Sequence, residues 1–278
     1  MNNYTSRFSK LTGHGGVALC ALCLAGCGAL AVKDAAPRTL EANEVSALRL
    51  RMAESLVQQR DYELALPYVR DLLAREPRNA RLHLLLGIVL REKGIYGPAQ
   101  EELQRALTLD EKSSASHAAL ASLYGRTRRL GDAERHLRRA VALAPQHGPH
   151  HNDLGVCLLL QRRFADARLA LQEAIRLDPG LRVAFNNLGF VYAMENDEEG
   201  MRRAFQQGGG RAMALTNMGF VEELRGRPVA ARHYYEQALR AQRGYAPALR
   251  NLRGLDPTAR DAAADAEAGD SASEEAER

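Results

Sequence analysis

Apolar residues recur at helical spacing through most of the chain, and the stretch from residue 152 to 179 shows the pattern most clearly. Leu154, Gly155 and Leu158 fall on one face of a first helix. A second helix begins near Phe164 and carries the pattern to a closing proline through Ala167, Leu171, Ala174, Ile175 and Pro179. The stretch is therefore predicted to form a hairpin of two helices.

The same pattern returns at intervals of 34 residues. The upstream copy consists of Leu120, Ala121, Tyr124, Leu130, Ala133, Leu137, Ala140 and Pro145, and the downstream copy begins with Leu188, Gly189 and Tyr192. A hairpin of this size has an apolar face that it cannot bury alone. A fixed period of this length therefore predicts helical hairpins stacked on one another.

The repeated features are a Leu-Gly pair, an aromatic residue three positions on, a small alanine in the second helix and a closing proline. In these features the chain resembles the tetratricopeptide repeat. The resemblance implies an all-α, right-handed solenoid of about six helix pairs. A further helix within residues 245–255 is expected to cap the last apolar face.

Six repeats can be placed in register, and the fifth is shortened. The repeats cover residues 46–79, 80–113, 114–147, 148–181, 182–211 and 212–245. The second helix of the fifth repeat runs into Gly208, Gly209 and Gly210, four residues short of the period. Three consecutive glycines break helices, so we predict a bend or hinge at this point.

The N-terminal 26 residues differ from the repeats. Arg7 and Lys10 precede a short apolar run, Gly15 to Gly26, which is typical of a secretory signal peptide and too short to span a bilayer. The run ends in Leu-Ala-Gly-Cys and is similar to a bacterial lipobox, which implies a lipid on Cys27. The residue after Cys27 is glycine rather than aspartate, and in a lipoprotein this implies sorting to the outer membrane. An ordinary cleaved signal, with Cys27 incidental, is the alternative.

Composition separates the rest of the chain into three parts. Residues 27–43 are small and polar and are predicted to form a tether. Residues 44–255 form the repeat domain, in a chain that is 46% hydrophobic and 26% charged and therefore able to bury a large core. Residues 256–278 hold eight acidic residues and two arginines and are predicted to be a disordered tail. Without the signal peptide and the tail, the chain has 34 basic and 26 acidic residues, so the domain is basic.

Candidate catalytic and metal sites are few. His83, His117 and His151 recur every 34 residues, where this repeat usually places an aromatic residue, so they are predicted to pack rather than to bind zinc. Cys157 is expected to fill space inside a helix. The chain has no Gly-x-Ser-x-Gly elbow and no Walker loop. We therefore predict a protein that is not an enzyme, with no cofactor and no metal.

A series of polar residues in the first helices points to a binding groove. The resemblance implies that positions 2, 5, 6, 9, 12 and 13 of each repeat line a concave surface. Amides occupy positions 5 and 6 and offer both a donor and an acceptor to an extended peptide backbone, while apolar residues at position 9 offer anchors. The predicted groove residues are Asn152, Asp153, Val156, Asn186, Asn187, Phe190, Asn217, Phe220 and Asn251. The alternative is that the asparagines cap helices or bond locally within the hairpins, and that the aromatic residues pack between neighbouring repeats.

The layout of a lipobox followed by about six repeats is similar to the pilotin lipoproteins of type IV or tight-adherence pili. This resemblance implies an adaptor in envelope assembly, lipid-anchored at Cys27, facing the periplasm and binding a secretin or another assembly protein. The alternative is a scaffold that docks peptidoglycan hydrolases or proteases at the envelope. Nucleic acid is not predicted as a partner because no aromatic stacking platform accompanies the basic charge, and no small-molecule substrate is predicted.

Overall fold

A computed structural model of the chain describes residues 42–255, and this part of the chain consists of helices joined by short turns, without strands. The helices are α1 (Ala42–Gln58), α2 (Tyr62–Arg75), α3 (Ala80–Glu92), α4 (Tyr96–Leu109), α5 (Ser114–Arg126), α6 (Leu130–Leu143), α7 (Gly148–Leu160), α8 (Phe164–Leu177), α9 (Arg182–Glu195), α10 (Glu198–Gly208), α11 (Arg211–Leu224), α12 (Pro228–Ala241) and α13 (Ala246–Gly254).

The helices pack as six hairpins followed by a single helix. Each odd-numbered helix contacts the next even-numbered one within its hairpin, and each even-numbered helix contacts the first helix of the following hairpin. Odd-numbered helices also contact the odd-numbered helices of neighbouring hairpins, whereas within residues 42–255 no comparable contact joins even-numbered helices. The odd-numbered helices therefore form the tighter, inner layer. The prediction of an all-α solenoid of six pairs and a cap is confirmed.

Each hairpin closes around a small residue at position 8 of the repeat. Four repeats have glycine there, and a Cβ atom added to Gly87, Gly155, Gly189 or Gly219 would lie 2.4–2.6 Å from the side chain of Leu103, Leu171, Phe205 or Tyr235, respectively. The first and third repeats have Ala53 and Ala121 instead. Because the second helix places a large buried side chain opposite, the first helix can approach it only with a small residue at this position.

The turn inside each hairpin has a left-handed residue at position 15. Arg60, Arg128, Arg162 and Asn196 have φ of 61–62°, and glycine occupies the equivalent places in the second and sixth repeats. A side chain in this conformation costs about 1 kcal/mol or more, which glycine avoids. The turn geometry is therefore imposed by the packing of the two helices and not by the turn residue.

The glycine run between α10 and α11 has a steric explanation. None of the three glycines adopts a positive φ: Gly209 is extended at −171° and Gly210 has φ −69°. A Cβ atom on Gly208 would lie 2.4 Å from Oδ1 of Asn186. Helix α10 ends here as predicted, and α9 and α11 contact each other directly across the junction. A hinge at this point stays a prediction.

The predicted signal peptide, the lipidation site Cys27, most of the tether and the acidic tail lie outside the described residues. Within residues 42–255, no helix combines the length and the apolar character needed to cross a membrane.

Candidate functional site

The surface formed by the inner faces of α5, α7, α9 and α11, which we call the inner groove, exposes apolar side chains in its C-terminal half. Leu160 is 51% exposed, Phe220 39% and Leu224 57%. The half-buried Val156, Phe190 and Met194 lie at equivalent positions of their repeats, between or beside them. An apolar surface built from three successive repeats is the kind of surface that a partner protein covers.

Two of the predicted anchors are in contact. The rings of Phe190 and Phe220 meet edge to face with centroids 6.0 Å apart, and Phe190 also packs edge to face on the buried Phe205 at 5.0 Å. Phe190 therefore links the groove to the core of its own hairpin. Phe220 is the ring that offers free surface to a partner.

The asparagines at positions 5 and 6 form hydrogen bonds between successive repeats. Nδ2 of Asn187 donates to Oδ1 of Asn152 at 2.8 Å, and Nδ2 of Asn217 donates to Oδ1 of Asn186 at 3.0 Å. In both pairs the position 6 amide donates to the position 5 amide of the preceding repeat. These amides therefore join successive repeats, an arrangement that the sequence did not predict.

The amide pairs leave only part of the predicted ladder available. Asn152 is buried, and Asn186 also donates to the carbonyl of Gly208 at 3.0 Å. The side-chain oxygens of Asn187 and Asn217 accept no hydrogen bond within residues 42–255, and both side chains are partly exposed. These two oxygens are the acceptors that remain for a peptide N–H.

Asn251 does not continue the series. The preceding position 5 holds Thr216, whose hydroxyl donates to the carbonyl of Ala212 at 2.7 Å. The Asn251 side chain instead hydrogen-bonds the Tyr235 hydroxyl, which itself donates to Glu223 at 2.9 Å. The pairing of amides therefore ends at α11.

A cavity of about 330 Å³ opens at the N-terminal end of the apolar surface, between α5, α6 and α7. Val156 and Leu160 of α7 line it together with Asp153, and apart from Arg126 the residues that α5 contributes are small, including Ala118, Ser122 and Gly125. At the same positions α3 has Leu84, Ile88 and Arg91. The cavity therefore results from the small side chains of α5, and it has room for a leucine or phenylalanine side chain.

Asp153 is the acidic group of this cavity. Its side chain reaches solvent, but the surrounding protein removes much of the water that would stabilise a charge, and this desolvation raises the pKa of the carboxyl above its usual value. A hydrogen bond from Nδ2 of Asn152 at 3.1 Å and the charge of Arg91 oppose the shift only in part. Asp153 is suited to accept a hydrogen bond from a partner.

Charged pairs border the cavity on its N-terminal side. Arg126 lines the cavity and donates to Glu92 of the preceding repeat at 2.8 Å. Burial opposes the ionisation of Glu92, but hydrogen bonds from Arg91 and the nearby arginine charges outweigh it, and the net pKa of Glu92 is lowered. The inner surface therefore changes from charged to apolar at the junction of α5 and α7.

The sequence pattern predicts Asp153 and Val156 as groove residues but does not predict the α5 side of the site. The signal was present in Ala118, Ser122 and Gly125, which are smaller than the residues that the preceding repeat has at positions 5, 9 and 12. Small residues carry no chemical group that suggests binding. They become informative only when the facing residues of α6 and α7 are known.

The periodic histidines have structural contacts. Nε2 of His83 and Nε2 of His151 each lie 3.0 Å from a proline carbonyl six residues earlier, and Nδ1 of His117 lies 2.9 Å from Nδ1 of His136. His83 also meets Glu102 at 2.6 Å. Within the part of the chain that the structure describes, no group of three or more His, Cys, Asp or Glu residues is arranged to hold a metal ion.

Comparison with known proteins identifies the repeats. A family profile described as tetratricopeptide repeat matches residues 50–115 and 118–181, so these two segments are similar to that repeat. A search of curated protein sequences finds no match.

Solved structures share the fold at low sequence identity. The Pseudomonas aeruginosa protein pilF matches with a TM-score of 0.60 at 20% identity, over 75% of this chain and 96% of that one. PilW, described as a widely conserved type IV pilus biogenesis factor, matches with a TM-score of 0.64 at 22% identity, over 76% of this chain and 99% of that one. The Cut9-Hcn1 hetero-tetramer of the APC/C matches with a TM-score of 0.62 at 16% identity, over 76% of this chain and 42% of that one.

Proposed function

We propose that this protein is an adaptor that binds a segment of a partner protein in the inner groove and carries out no catalysis itself. The observation that carries the proposal is the exposed apolar surface of Leu160, Phe220 and Leu224 beside the 330 Å³ cavity. A soluble domain gains nothing from leaving such a surface in water. Burying it under a partner removes that cost and places an apolar side chain in the cavity.

The groove also defines the chemistry of the segment that it binds. The inner positions of α9 carry no charge, since Val183, Asn186, Asn187, Phe190 and Met194 occupy them. The oxygens of Asn187 and Asn217 accept backbone N–H groups, and Asp153 accepts a donor at the cavity. The partner segment is therefore an uncharged, apolar peptide with one leucine- or phenylalanine-sized anchor.

The biological setting that we propose is assembly of a pilus or secretin at the bacterial envelope, in the manner of a pilotin. The protein is held at the outer membrane, facing the periplasm, by a lipid on Cys27, and its groove binds the secretin. The nearly complete coverage of pilF and PilW supports this setting, as does the lipobox-like sequence before the repeats.

The substitution Gly125→Leu tests the groove. Gly125 lines the cavity, and a Cβ atom there meets nothing within 4 Å, so leucine fills the cavity and also improves the helix propensity of α5 by about 0.8 kcal/mol. Gly131→Leu on α6 is the matched control, because Gly131 is exposed, equally unobstructed and not in the cavity wall.

Heat-resistant secretin multimers in a deletion strain complemented with each variant provide the readout. We expect Gly131→Leu to restore multimers and Gly125→Leu to fail, although both proteins are folded. Restored multimers with Gly125→Leu would exclude the cavity from the interaction. If the deletion itself leaves secretin multimers and their localisation normal, the pilus role is wrong and the groove must serve another partner.

A further inference from the structure

The chain from Gly200 to the end of the final helix carries an excess of arginine. Residues 200–255 contain ten arginines and three glutamates, with no lysine or aspartate. Four of the arginines pair with glutamates, namely Arg203, Arg225, Arg227 and Arg240. The side chains of the other six make no ion pair or hydrogen bond within the described part of the chain, and these residues are Arg202, Arg211, Arg232, Arg243, Arg250 and Arg253.

Two of the unpaired arginines line a cleft between α10, α11 and α12. Arg202 and Arg211 border a cavity of about 560 Å³ together with Gln206 and Tyr234. Arg211 also borders a second cavity, of about 230 Å³, with Gln242 and Tyr245. Because Arg211 borders both, the two cavities are neighbours along the line from α10 to the start of α13, and we call the pair the arginine track.

The arginine track exists because α10 is short. Helix α10 has 11 residues, whereas the other second helices of the hairpins have 14. The missing turn is replaced by Gly209, which lines the larger cavity and has no side chain to fill it. Two guanidinium groups without carboxylate partners beside an open cleft form a site for carboxylates, which guanidinium binds in bidentate fashion.

The chain itself supplies such carboxylates immediately afterwards. Residues 256–278, the acidic segment, hold eight acidic residues and two arginines. The chain leaves the described part at Leu255, one nine-residue helix, or about 13 Å, after Tyr245 of the arginine track. A segment of 23 residues spans up to about 75 Å when extended, so its length is sufficient to reach Arg202.

We propose that the acidic segment binds the arginine track of its own chain. Tethering gives it an effective concentration on the order of millimolar, so modest ionic contacts are enough to keep the track occupied. The contacts are screened at high salt. Arg202, Gln206 and Tyr234 belong to even-numbered helices, so the acidic segment covers a surface other than the inner groove. A second, anionic partner reaches this surface only by displacing the segment.

A labelled peptide of residues 256–278, measured by fluorescence anisotropy, tests the proposal. We expect it to bind the chain lacking residues 256–278 in 20 mM salt, to bind the full chain at least tenfold more weakly, and to dissociate from both in 500 mM salt. Combining Arg202→Gln with Arg211→Gln should weaken binding to the shortened chain at least fivefold. Arg70→Gln with Arg78→Gln is the control, because these exposed arginines of the first repeat also lack ion pairs within residues 42–255.

Three results would overturn the proposal. Equal affinity for the full and the shortened chain would mean that the segment does not occupy the track in its own chain. Equal losses of peptide affinity in the track variant and in the control variant would mean that the peptide responds only to the net charge of the chain. Absence of binding to a shortened chain whose circular dichroism and melting temperature match those of the full chain would exclude the contact altogether.

Discussion

At the scale of single residues, the stability of each hairpin depends on matched sizes at positions 8 and 24 of the repeat. The largest partners, Phe205 and Tyr235, are fully buried opposite glycines, Gly189 and Gly219. The Leu-Gly pair could be recognised in the sequence. Its physical reason, the close approach of a large side chain from the second helix, required the structure.

Gly189→Ala is expected to destabilise the protein by about 2 kcal/mol, because the added methyl group would lie 2.4 Å from the Phe205 ring and force it to move. Gly125→Ala is the control and should be neutral or stabilising by up to about 0.8 kcal/mol, since its Cβ meets nothing. Urea unfolding monitored by circular dichroism measures both. Equal stability of the two variants would contradict the packing argument.

His150 makes the stability of the fold depend on pH. Its ring is buried against His147, and this desolvation lowers the pKa of His150 to about 4, whereas an unfolded histidine titrates near 6.5. Between pH 6.5 and pH 4, this histidine therefore binds a proton in the unfolded chain but stays neutral in the folded chain. The resulting stability is present above pH 6.5 and is lost as the pH falls towards 4.

We expect the protonation of His150 alone to lower the free energy of unfolding by about 2 kcal/mol between pH 7.5 and pH 5. Urea unfolding at several pH values measures the free energy of unfolding of the native protein and of His150→Gln. His117 and His136, whose pKa values burial also lowers, remain in both proteins and cancel in the comparison. Parallel pH profiles for the two proteins would show that His150 does not titrate as described.

At the scale of helices, amide pairs join the inner helices of the last three repeats, α7 to α9 and α9 to α11. The sequence located every asparagine involved, but it did not predict bonds between repeats, because an amide can donate and accept in any of several settings. Which partner an amide reaches depends on helix spacing. Helix α9 lies close enough to α7 for Asn187 to reach Asn152, whereas Thr216 interrupts the series at α11.

A double-mutant cycle tests the amide pairing. Asn152→Ala and Asn187→Ala are expected to show a coupling energy of about 1 kcal/mol in unfolding, because each single change leaves a partly buried partner without its hydrogen bond. The matched cycle of Asn152→Ala with Asn217→Ala should show coupling near zero, since no hydrogen bond joins these two. Similar coupling in both cycles would refute the pairing.

The end of α10 is expected to tolerate no side chain at Gly208. Gly208→Ala should destabilise the protein by about 1–3 kcal/mol, because its Cβ would collide with the Asn186 amide that Asn217 also bonds. Gly210→Ser adds a larger side chain only two residues away, at an unobstructed N-cap position, and should be neutral or stabilising. Thermal unfolding of both variants distinguishes this close approach from a flexible hinge, which either substitution would stiffen.

At the scale of the whole molecule, the 34-residue period was sufficient to predict the number, order and pairing of the helices, because each hairpin repeats one packing arrangement. The period could not reveal features in which one repeat differs from its neighbours. The cavity arises from the small residues of α5, and the arginine track arises from the missing turn of α10. Both candidate binding features are thus departures from the repeat.

The most direct test of the adaptor account is site-specific photo-crosslinking in the host cell, with p-benzoylphenylalanine replacing one residue at a time. Leu160, Phe220 and Leu224 report on the inner groove, and the exposed Leu169 and Val229 on the even-numbered helices are the matched controls. The account predicts one shared adduct from the three groove positions, none from the controls, and loss of the adduct when Gly125→Leu is added. Adducts of equal yield from the groove and the control positions, or groove adducts unaffected by Gly125→Leu, would contradict it.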